Sequence, residues 1–307
     1  MRAALDILLT PWGLGLLGLL VGSFLNVVIY RWPLILERRW WGDVAAQLAD
    51  ADSHQRVLQQ PLPAAASQLS QSLDQQLQAL PRLSLSRPAS RCPACGHRIR
   101  WFENIPVLSW PMLHGRCSAC KTPISLRYPF IELLTAALFA AAGWRFGGQG
   151  VALLWCAFLA VLLALSAIDW DTTVLPDDLN LPLLWGGLLA AGLGWTIDPV
   201  TAIFGAAAGY LSLWSVYWLF KLTTGKEGMG YGDFKLLAAI GAWLGWQAIL
   251  PTLLLASVIG ALVGLGMKFS GALREGRYVP FGPFLAGGGV VVWLAGLPAV
   301  LAYMGWR

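Results

Sequence analysis

Long apolar runs recur along most of this 307-residue chain and constrain its fold more than any other feature. A run of about 17 to 25 apolar residues is long enough to cross a bilayer as a helix. The chain is 57% hydrophobic and only 12% charged, whereas soluble domains carry about 25% charged residues. We therefore predict an all-α polytopic membrane protein. The eight predicted spans are residues 11–30, 129–146, 151–168, 180–197, 199–220, 234–250, 251–269 and 281–304.

Basic residues are distributed unevenly between the segments that connect these spans. Of the 21 Lys and Arg residues, 12 lie in the hydrophilic segment 31–128, and six more flank a glycine-rich stretch or follow the seventh span. The opposite side carries Arg2, Arg145 and Arg307. Because basic loops stay in the cytoplasm, the sequence predicts that both termini lie outside and that the basic charge faces anionic lipid headgroups, not nucleic acid. The segments predicted to be cytoplasmic are 31–128, 169–179, 221–233 and 270–280.

Composition also divides the chain into three regions. Residues 1–30 are predicted to be the first transmembrane helix, 31–128 a cytoplasmic segment, and 129–307 a second membrane region. The stretch 37–90 is rich in Gln, Ser, Ala and Leu and is interrupted by prolines, so we expect a partly disordered insert. Arg31, at the edge of the first span, is interpreted as a membrane anchor that keeps its charge in water.

Four cysteines follow the insert in two C-x2-C pairs, Cys92 with Cys95 and Cys117 with Cys120. Four thiolates on two tight turns form a closed tetrahedral zinc site, and the pairs are separated by about one residue more than is usual. Two disulfides are the alternative, but the charge distribution places the segment in the reducing cytoplasm, where disulfides are rare. The pattern therefore predicts a structural, zinc-ribbon-like module at about 91–122. His97 is expected to lie beside the site or at the surface, and not to be a ligand.

Two aspartates are the strongest candidates for chemistry. Asp233 follows a run of glycines that includes Gly230 and Gly232, and it opens an apolar segment. It is either the N-cap of its helix or a functional group, because acids at a membrane helix are costly. Asp169 closes the third span, where an acid opposes the helix dipole, so capping of its own helix does not explain it. The predicted topology places both at one depth on one side.

Two carboxylates held a few ångströms apart cannot both ionise, so they share a proton and titrate together. The charged one takes a proton from an attacking water while the protonated one polarises a peptide carbonyl, which is aspartic-protease chemistry. The sequence contains no H-E-x-x-H motif and no G-x-S-x-G elbow. Glu132, one turn inside the second span, either pairs with Arg127 or borders the same polar cavity.

These motifs give the chain a resemblance to the type IV prepilin peptidases, a family of GxGD-type intramembrane aspartic proteases. The resemblance covers nearly the whole chain except the insert. Presenilin-like proteases share the G-x-G-D signature, but the cysteine segment favours the prepilin family. The matching motifs are GSFLNVVIYRWP at 22–33, the two Cys pairs, ENIPVLSW at 103–110, IDWDTTVLPD at 168–177, GMGYGDFKL at 228–236 and PFGPFLA at 280–286.

The resemblance implies an enzyme of the bacterial inner membrane with its active site facing the cytoplasm. Such an enzyme cleaves the leader of type IV prepilins or type II secretion pseudopilins after a Gly. It then N-methylates the new N-terminus, with S-adenosylmethionine as the methyl donor. The catalytic aspartates correspond to Asp169 and Asp233, in a transmembrane peptidase domain at 129–307. Gly230, Gly232 and Glu132 are expected near the substrate, and no residue is assigned to the methyl donor.

Two other functional classes fit parts of the pattern. Acids and broken helices also mark the ion pathways of transporters and channels, although here the acids cluster at one face. A membrane scaffold whose zinc module docks a partner is the second alternative. Both alternatives predict that a prepilin is not cleaved.

Overall fold

The computed structural model describes residues 6–271 and 279–305. Within those ranges the protein is helical and contains no β-strand, only two isolated bridges, so the predicted all-α class is confirmed. The chain forms two compact units, Asn26–Ser125 and a second made of Met1–Leu25 with Leu126–Arg307. The predicted 270–280 loop lies partly outside the described residues, as do Arg2, Arg274, Arg277 and Arg307.

Helix α1 runs from one unit into the other, and two short 3₁₀ turns, Trp101–Asn104 and Trp246–Ala248, complete the regular structure. The α-helices are α1 (Pro11–Ala49), α2 (Ala51–Leu58), α3 (Ala64–Ala79), α4 (Ser109–Met112), α5 (Arg127–Phe146), α6 (Val151–Thr172), α7 (Asp177–Gly192), α8 (Pro199–Thr224), α9 (Tyr231–Leu244), α10 (Ile249–Phe269), α11 (Gly282–Ala295) and α12 (Leu297–Tyr303).

Five of the described helices are long and apolar enough to cross a membrane: α1, α5, α6, α8 and the segment Trp246–Phe269. A sixth is added if α11 and α12, bent by 100° at Gly296, count as one span. The predicted number of eight is therefore not confirmed. The difference lies in α7 and α9, which have 16 and 14 residues. At about 1.5 Å per residue, both are shorter than the roughly 30 Å hydrocarbon core.

Helix α9 is buried on nearly every side, from Asp233 to Trp243. Its neighbours approach closely because glycines face it. Gly205 of α8 packs backbone to backbone against Gly241, where a Cβ on either residue would overlap the other's carbonyl oxygen. On α7, a Cβ at Gly187 would lie 2.7 Å from the Trp243 ring. These contacts fix the position of the helix that begins beside Asp233.

A second glycine-lined contact joins α1 to α5. A Cβ at Gly18 would lie 2.7 Å from Cα of Ala136, and one at Gly22 would lie 2.7 Å from Cα of Glu132. Small residues that let helix backbones touch are the usual means of packing where water provides no driving force. Glu132 is accordingly buried against α1 in the interior of the membrane unit, the unit formed by Met1–Leu25 and Leu126–Arg307.

The unit Asn26–Ser125 contains the insert for which we expected partial disorder, and the structure shows helices there instead. Ser70 of α3 is buried and donates to the carbonyl of Ala45 on α1. Arg31 is also buried, and its guanidinium donates to the backbone carbonyls of Ser84, Leu85 and Pro88. Arg31 is therefore not the predicted membrane anchor, whose charge would stay in water. Its guanidinium binds three backbone carbonyls and so connects α1 to the segment that contains Ser84, Leu85 and Pro88.

The glycine contact between α8 and α9 predicts a stability effect. Replacing Gly241→Ala should destabilise the protein by about 1–3 kcal/mol, because the added methyl overlaps the Gly205 backbone. Gly264→Ala on α10 is the matched control, since a Cβ there meets no atom within 4 Å. Its stability should be unchanged or higher by up to about 1 kcal/mol. Thermal unfolding in detergent measures both, and equal melting temperatures would contradict the packing described.

Candidate active site

Asp169 lies near the C-terminal end of α6 and is only 5% exposed. Its Oδ2 accepts a hydrogen bond of 3.0 Å from the backbone N–H of Gly282, the first residue of α11. The aspartate therefore opposes the dipole of its own helix but satisfies the N-terminus of another, where negative charge is favoured. This contact joins residues that are 113 positions apart in the sequence.

Asp233 is the third residue of α9 and is 8% exposed. The N-cap of α9 is Gly230, which offers no side-chain cap, and Oδ1 of Asp233 is buried without a hydrogen-bond partner. Asp233 is therefore not the N-cap of its helix, although its carboxylate also interacts with the backbone N–H of Gly230. A buried carboxylate oxygen with no partner is unfavourable and marks a position where another group can bind.

The structure brings Asp169 and Asp233 together at one end of the membrane unit. The Gly282 that donates to Asp169 and the Gly232 that precedes Asp233 both adjoin one leucine, and the charge of Asp169 acts on Asp233. Leu175 packs between the adjoining backbones, since a Cβ at Gly232 would lie 2.8 Å from Cβ of Leu175 and one at Gly282 would lie 3.3 Å from its Cδ1. Two buried acids whose charges interact can share one proton, and one then acts as the acid while the other acts as the base.

Neighbouring polar contacts hold the start of α9 in place. Asn180 of α7 is fully buried, and its Nδ2 donates to the carbonyl oxygen of Gly232 at 3.1 Å. Lys235 pairs with the carboxylate of Asp177 at 2.7 Å. Helix α7 therefore positions Asp233 by binding a residue on each side of it in the chain, Gly232 and Lys235.

Other acids near the aspartate pair have different surroundings. Asp171 pairs with Arg127 at 2.7 Å, and Asp177 forms the ion pair with Lys235. Glu132 lies buried on α5 at the contact with α1. Its role near a substrate remains a prediction.

The two glycines predicted near the substrate are close to Asp233. A Cβ at Gly230 would lie 3.9 Å from Oδ2 of Asp233, and Gly232 contacts Leu175. The backbone of Gly230 has φ −82°, a conformation open to any residue, and a Cβ there would meet its neighbours only at ordinary contact distance. Neither backbone geometry nor packing within this structure requires glycine at this position.

Three residues at this site were missed in the sequence. Gly282 donates to Asp169, whereas Asn180 and Leu175 contact Gly232, the residue before Asp233. Gly282 lies in the PFGPFLA motif and Leu175 in IDWDTTVLPD, so the motifs contained both without indicating what they contact. An asparagine in the first turn of an apolar helix was the available signal for Asn180, because a buried amide needs polar partners.

The four predicted cysteine ligands also come together. All four sulfur atoms lie within 4.8 Å of one another, with 3.7 Å between those of Cys92 and Cys120 and 4.0 Å between those of Cys95 and Cys117. A tetrahedral zinc site with Zn–S bonds of about 2.3 Å requires S···S distances of about 3.8 Å. The cysteines are not disulfide-bonded, so the cluster fits a metal ion.

The cluster is built from two copies of one backbone turn. The N–H of Cys92 donates to the carbonyl of His97, and the N–H of Cys117 donates to that of Thr122. The fifth residue of each turn has a positive φ, 71° at Gly96 and 60° at Lys121. Each turn thus directs two sulfur atoms towards a common centre.

Hydrogen bonds favour the thiolate form of two of the four cysteines. Backbone N–H groups lower the pKa of Cys92, and the Thr122 hydroxyl lowers the pKa of Cys120 to about 6. A backbone hydrogen bond from His97 lowers the pKa of Cys95. The neighbouring Cys120 sulfur and burial outweigh it, so the pKa of Cys95 is raised to about 11. Four thiolates this close repel one another unless a cation binds them, which is further support for a metal site.

His97 lies beside the cluster, as predicted, and contacts Glu103 at 3.3 Å. Glu103 also accepts a hydrogen bond from the backbone N–H of Arg100 and interacts with Ser118. These contacts hold the pKa of Glu103 below its usual range, with the Arg100 N–H as the largest cause. The carboxylate links the two turns. The fifth cysteine, Cys156, is buried in α6.

The contact of Gly282 with Asp169 predicts that the glycine is needed for activity. A Cβ at this position would lie 2.5 Å from Oδ2 of Asp169, so Gly282→Ala must displace the carboxylate. We expect any reaction that uses the pair to slow by at least about 100-fold, as for loss of a general acid or base. Gly287→Ala on the same helix meets no atom within 4 Å and should leave the rate unchanged. Equal rates for the two variants would show that Asp169 can move without consequence.

Comparison with known proteins identifies the family. Residues 16–146 match the bacterial peptidase A24 N-terminal domain, and residues 156–265 match the type IV leader peptidase family. No solved structure matches the chain.

Curated relatives extend over almost the full length. The chain is 48% identical to a prepilin leader peptidase/N-methyltransferase of Burkholderia pseudomallei, across 93% of this chain and 85% of the relative. It is 49% identical to one of Pseudomonas putida (91% and 87% covered) and 46% identical to one of Pseudomonas aeruginosa (94% and 91% covered). These matches favour the peptidase over the transporter and scaffold alternatives. The chain belongs to the type IV leader peptidase family.

Proposed function

We propose that this multi-pass membrane protein is an aspartic endopeptidase that removes the leader from prepilins and then N-methylates the product. The observation that carries the proposal is the pair of buried carboxylates, Asp169 and Asp233, at one end of the membrane unit of a leader peptidase. We assign both as catalytic residues. The relatives named above carry both activities in their names.

The geometry supports different roles for the two aspartates. The N–H of Gly282 at the start of α11 stabilises negative charge on Asp169, so Asp169 is the carboxylate that takes a proton from the attacking water. Asp233, whose Oδ1 has no other partner, is the acid that donates a hydrogen bond to the peptide carbonyl. Water oxygen bonds to the carbonyl carbon, and a tetrahedral intermediate forms.

Collapse of that intermediate completes the reaction. The C–N bond breaks, and the leaving nitrogen accepts the proton that the water gave up. The products are a leader with a new carboxyl terminus and a mature protein with a free amine. The pair ends with one shared proton, as it began, so no other cofactor is needed for hydrolysis.

The position of the pair at a helix-bundle end fits a substrate that crosses the membrane boundary. A prepilin has a basic leader outside the membrane and an apolar helix within it, so its scissile bond lies at the interface. We propose that this interface is the cytoplasmic face of the bacterial inner membrane and that cleavage follows a Gly. Type II pseudopilins have the same arrangement and are included as substrates.

Substrate access requires space beside Asp233. Gly230 places no side chain beside Oδ2 of Asp233, where a Cβ would lie 3.9 Å away. An extended substrate backbone can then approach the carboxylate along Gly230 and Gly232. Glu132 is proposed to border the same polar cavity.

N-methylation requires a donor, and we propose S-adenosylmethionine. The methyl group passes from its sulfonium to the amine that cleavage produces, and one proton is released from the nitrogen. No cluster among the described residues forms a glycine-rich nucleotide turn, so no residue is assigned to the donor.

We further propose that the cysteine cluster holds a structural zinc ion. Cys92, Cys95, Cys117 and Cys120 fit a closed tetrahedral set, which leaves no open position for water. The ion would therefore stabilise the fold of Asn26–Ser125 and take no part in hydrolysis.

The zinc proposal predicts the metal content of variants. Cys92→Ser and Cys117→Ser should each lower bound zinc from about one ion per chain to nearly none, because three thiolates bind it far more weakly. Cys156→Ala removes a buried thiol elsewhere and should keep the metal. Elemental analysis of the purified proteins gives the ratio. Unchanged zinc in both serine variants would contradict the proposed site.

The catalytic assignment predicts that Asp169→Asn and Asp233→Asn each lower the rate of leader cleavage by about 10² to 10⁴-fold, the range expected for a lost acid or base. Asp178→Asn, an exposed neighbour, should cleave normally. Mass spectrometry of a prepilin incubated with each protein, with and without S-adenosylmethionine, reports cleavage and methylation together. Near wild-type cleavage by either variant would remove that aspartate from the mechanism, and a product that never gains a methyl group would refute the second activity.

A further inference from the structure

A cavity of about 380 Å³ opens at the end of the membrane unit opposite the aspartate pair. It is lined by Trp155 near the start of α6 and Trp243 near the end of α9. Asp169 and Asp233 lie at the other ends of those helices, about 21 Å and 15 Å away at 1.5 Å per residue. Because the 22-residue α6 is about as long as a bilayer core is thick, the cavity lies at the other membrane face.

The walls of this cavity are buried aromatic rings. Trp155, Trp243 and Trp293 are each no more than 6% exposed. Trp155 stacks on Phe146 with centroids 5.7 Å apart and lies 5.8 Å from the ring of Trp293. Interfacial tryptophans are expected to face lipid headgroups, whereas these rings face the interior of the unit. They form a rigid apolar wall.

The polar groups at the cavity are mostly donors. Nε1 of Trp293 and Oγ1 of Thr196 are buried without a hydrogen-bond partner. Arg145 lies over the rings of Phe146 and Trp293 and donates through Nη1 to the Trp293 carbonyl. Indole and guanidinium groups can only donate. No carboxylate is present among the described residues that line the cavity, so a ligand with hydrogen-bond acceptors and negative charge complements it.

We propose that this cavity binds the headgroup phosphate of an anionic membrane phospholipid. The phosphate oxygens would accept from Arg145, Trp293 and Thr196, which satisfies the two unpartnered donors. The volume lies in the range of about 300–1,000 Å³ typical of organic ligands and far exceeds the size of one ion. The aromatic wall suits the glycerol and the first acyl carbons. The location at a membrane face brings lipid and cavity together.

Binding of phosphatidylglycerol to the delipidated full-length protein tests the proposal. Native mass spectrometry and a titration with brominated phosphatidylglycerol, which quenches tryptophan fluorescence, give affinity and stoichiometry. We expect one tightly bound lipid, with phosphatidylcholine at least about tenfold weaker. Arg145→Gln should weaken phosphatidylglycerol binding about tenfold or more, and Thr196→Val about threefold, as for loss of a charged and a neutral hydrogen bond. Arg145→Lys should recover part of the loss.

Matched variants separate the site from general lipid contact. Thr224→Val, at the other end of α8, removes a hydroxyl that donates to the carbonyl of Phe220 and accepts from the N–H of Lys226, far from the cavity. Lys226→Gln removes one exposed charge near that end. Both should bind phosphatidylglycerol like the wild type. Leader cleavage should persist in the Arg145 and Thr196 variants, which shows that they are folded and separates this proposal from the catalytic one.

Three results would overturn the proposal. Inorganic phosphate that displaces the lipid at equal affinity would identify a site for free anions. Equal binding of phosphatidylcholine and phosphatidylglycerol would indicate a non-specific lipid contact. Wild-type affinity in the Thr196→Val protein, which has no reason to misfold, would show that the unpartnered hydroxyl is not part of a lipid site.

Discussion

Holding two carboxylates together away from water is the constraint on which this structure depends. Asp169 and Asp233 are each less than a tenth exposed, and burial of acids is costly unless hydrogen bonds or shared protons compensate. The N–H of Gly282 provides part of the compensation for Asp169, and a proton held by one of the two acids removes the repulsion between their charges. Helix packing must offset the remaining unfavourable free energy of burial. The helices that carry the pair must therefore pack closely against their neighbours.

Glycine residues allow this close helix packing in the membrane unit. Gly205 with Gly241, and Gly187 with Trp243, let α8 and α7 enclose α9, while Gly282 lets α11 reach Asp169. In lipid, apolar side chains gain little by leaving the solvent, and backbone proximity with dense packing holds helices together. The same small residues therefore stabilise the bundle and shape the site.

The described parts of the protein place different chemistry at different locations. The aspartate pair lies at one end of the membrane unit, and the donor-rich aromatic cavity lies at the other. The cysteine cluster belongs to the separate unit Asn26–Ser125. Charged and metal-binding groups there can be satisfied by backbone N–H groups and by a cation, as at Cys92 and Glu103. The residues proposed for hydrolysis, metal binding and lipid contact therefore do not overlap.

The amino-acid sequence by itself determined the all-helical membrane class, the four cysteines that meet, and the two aspartates that lie together. Apolar run length and C-x2-C spacing are local properties, so they can be recognised without coordinates. The number of spans was not determined, because α7 and α9 are shorter than a bilayer core and only packing maintains them. The helical order of the insert and the burial of Arg31 also depended on distant partners.

Only the tertiary structure decided what surrounds the aspartates. Gly282 reaches Asp169 across 113 positions and Asn180 reaches Gly232 across 52, and no periodicity or motif encodes such a pairing. The aromatic cavity likewise combines residues from helices that are far apart in the chain. The order of residues shows which chemical groups are present and how they are spaced along the chain. The partners of a buried polar group depend instead on how the helices pack.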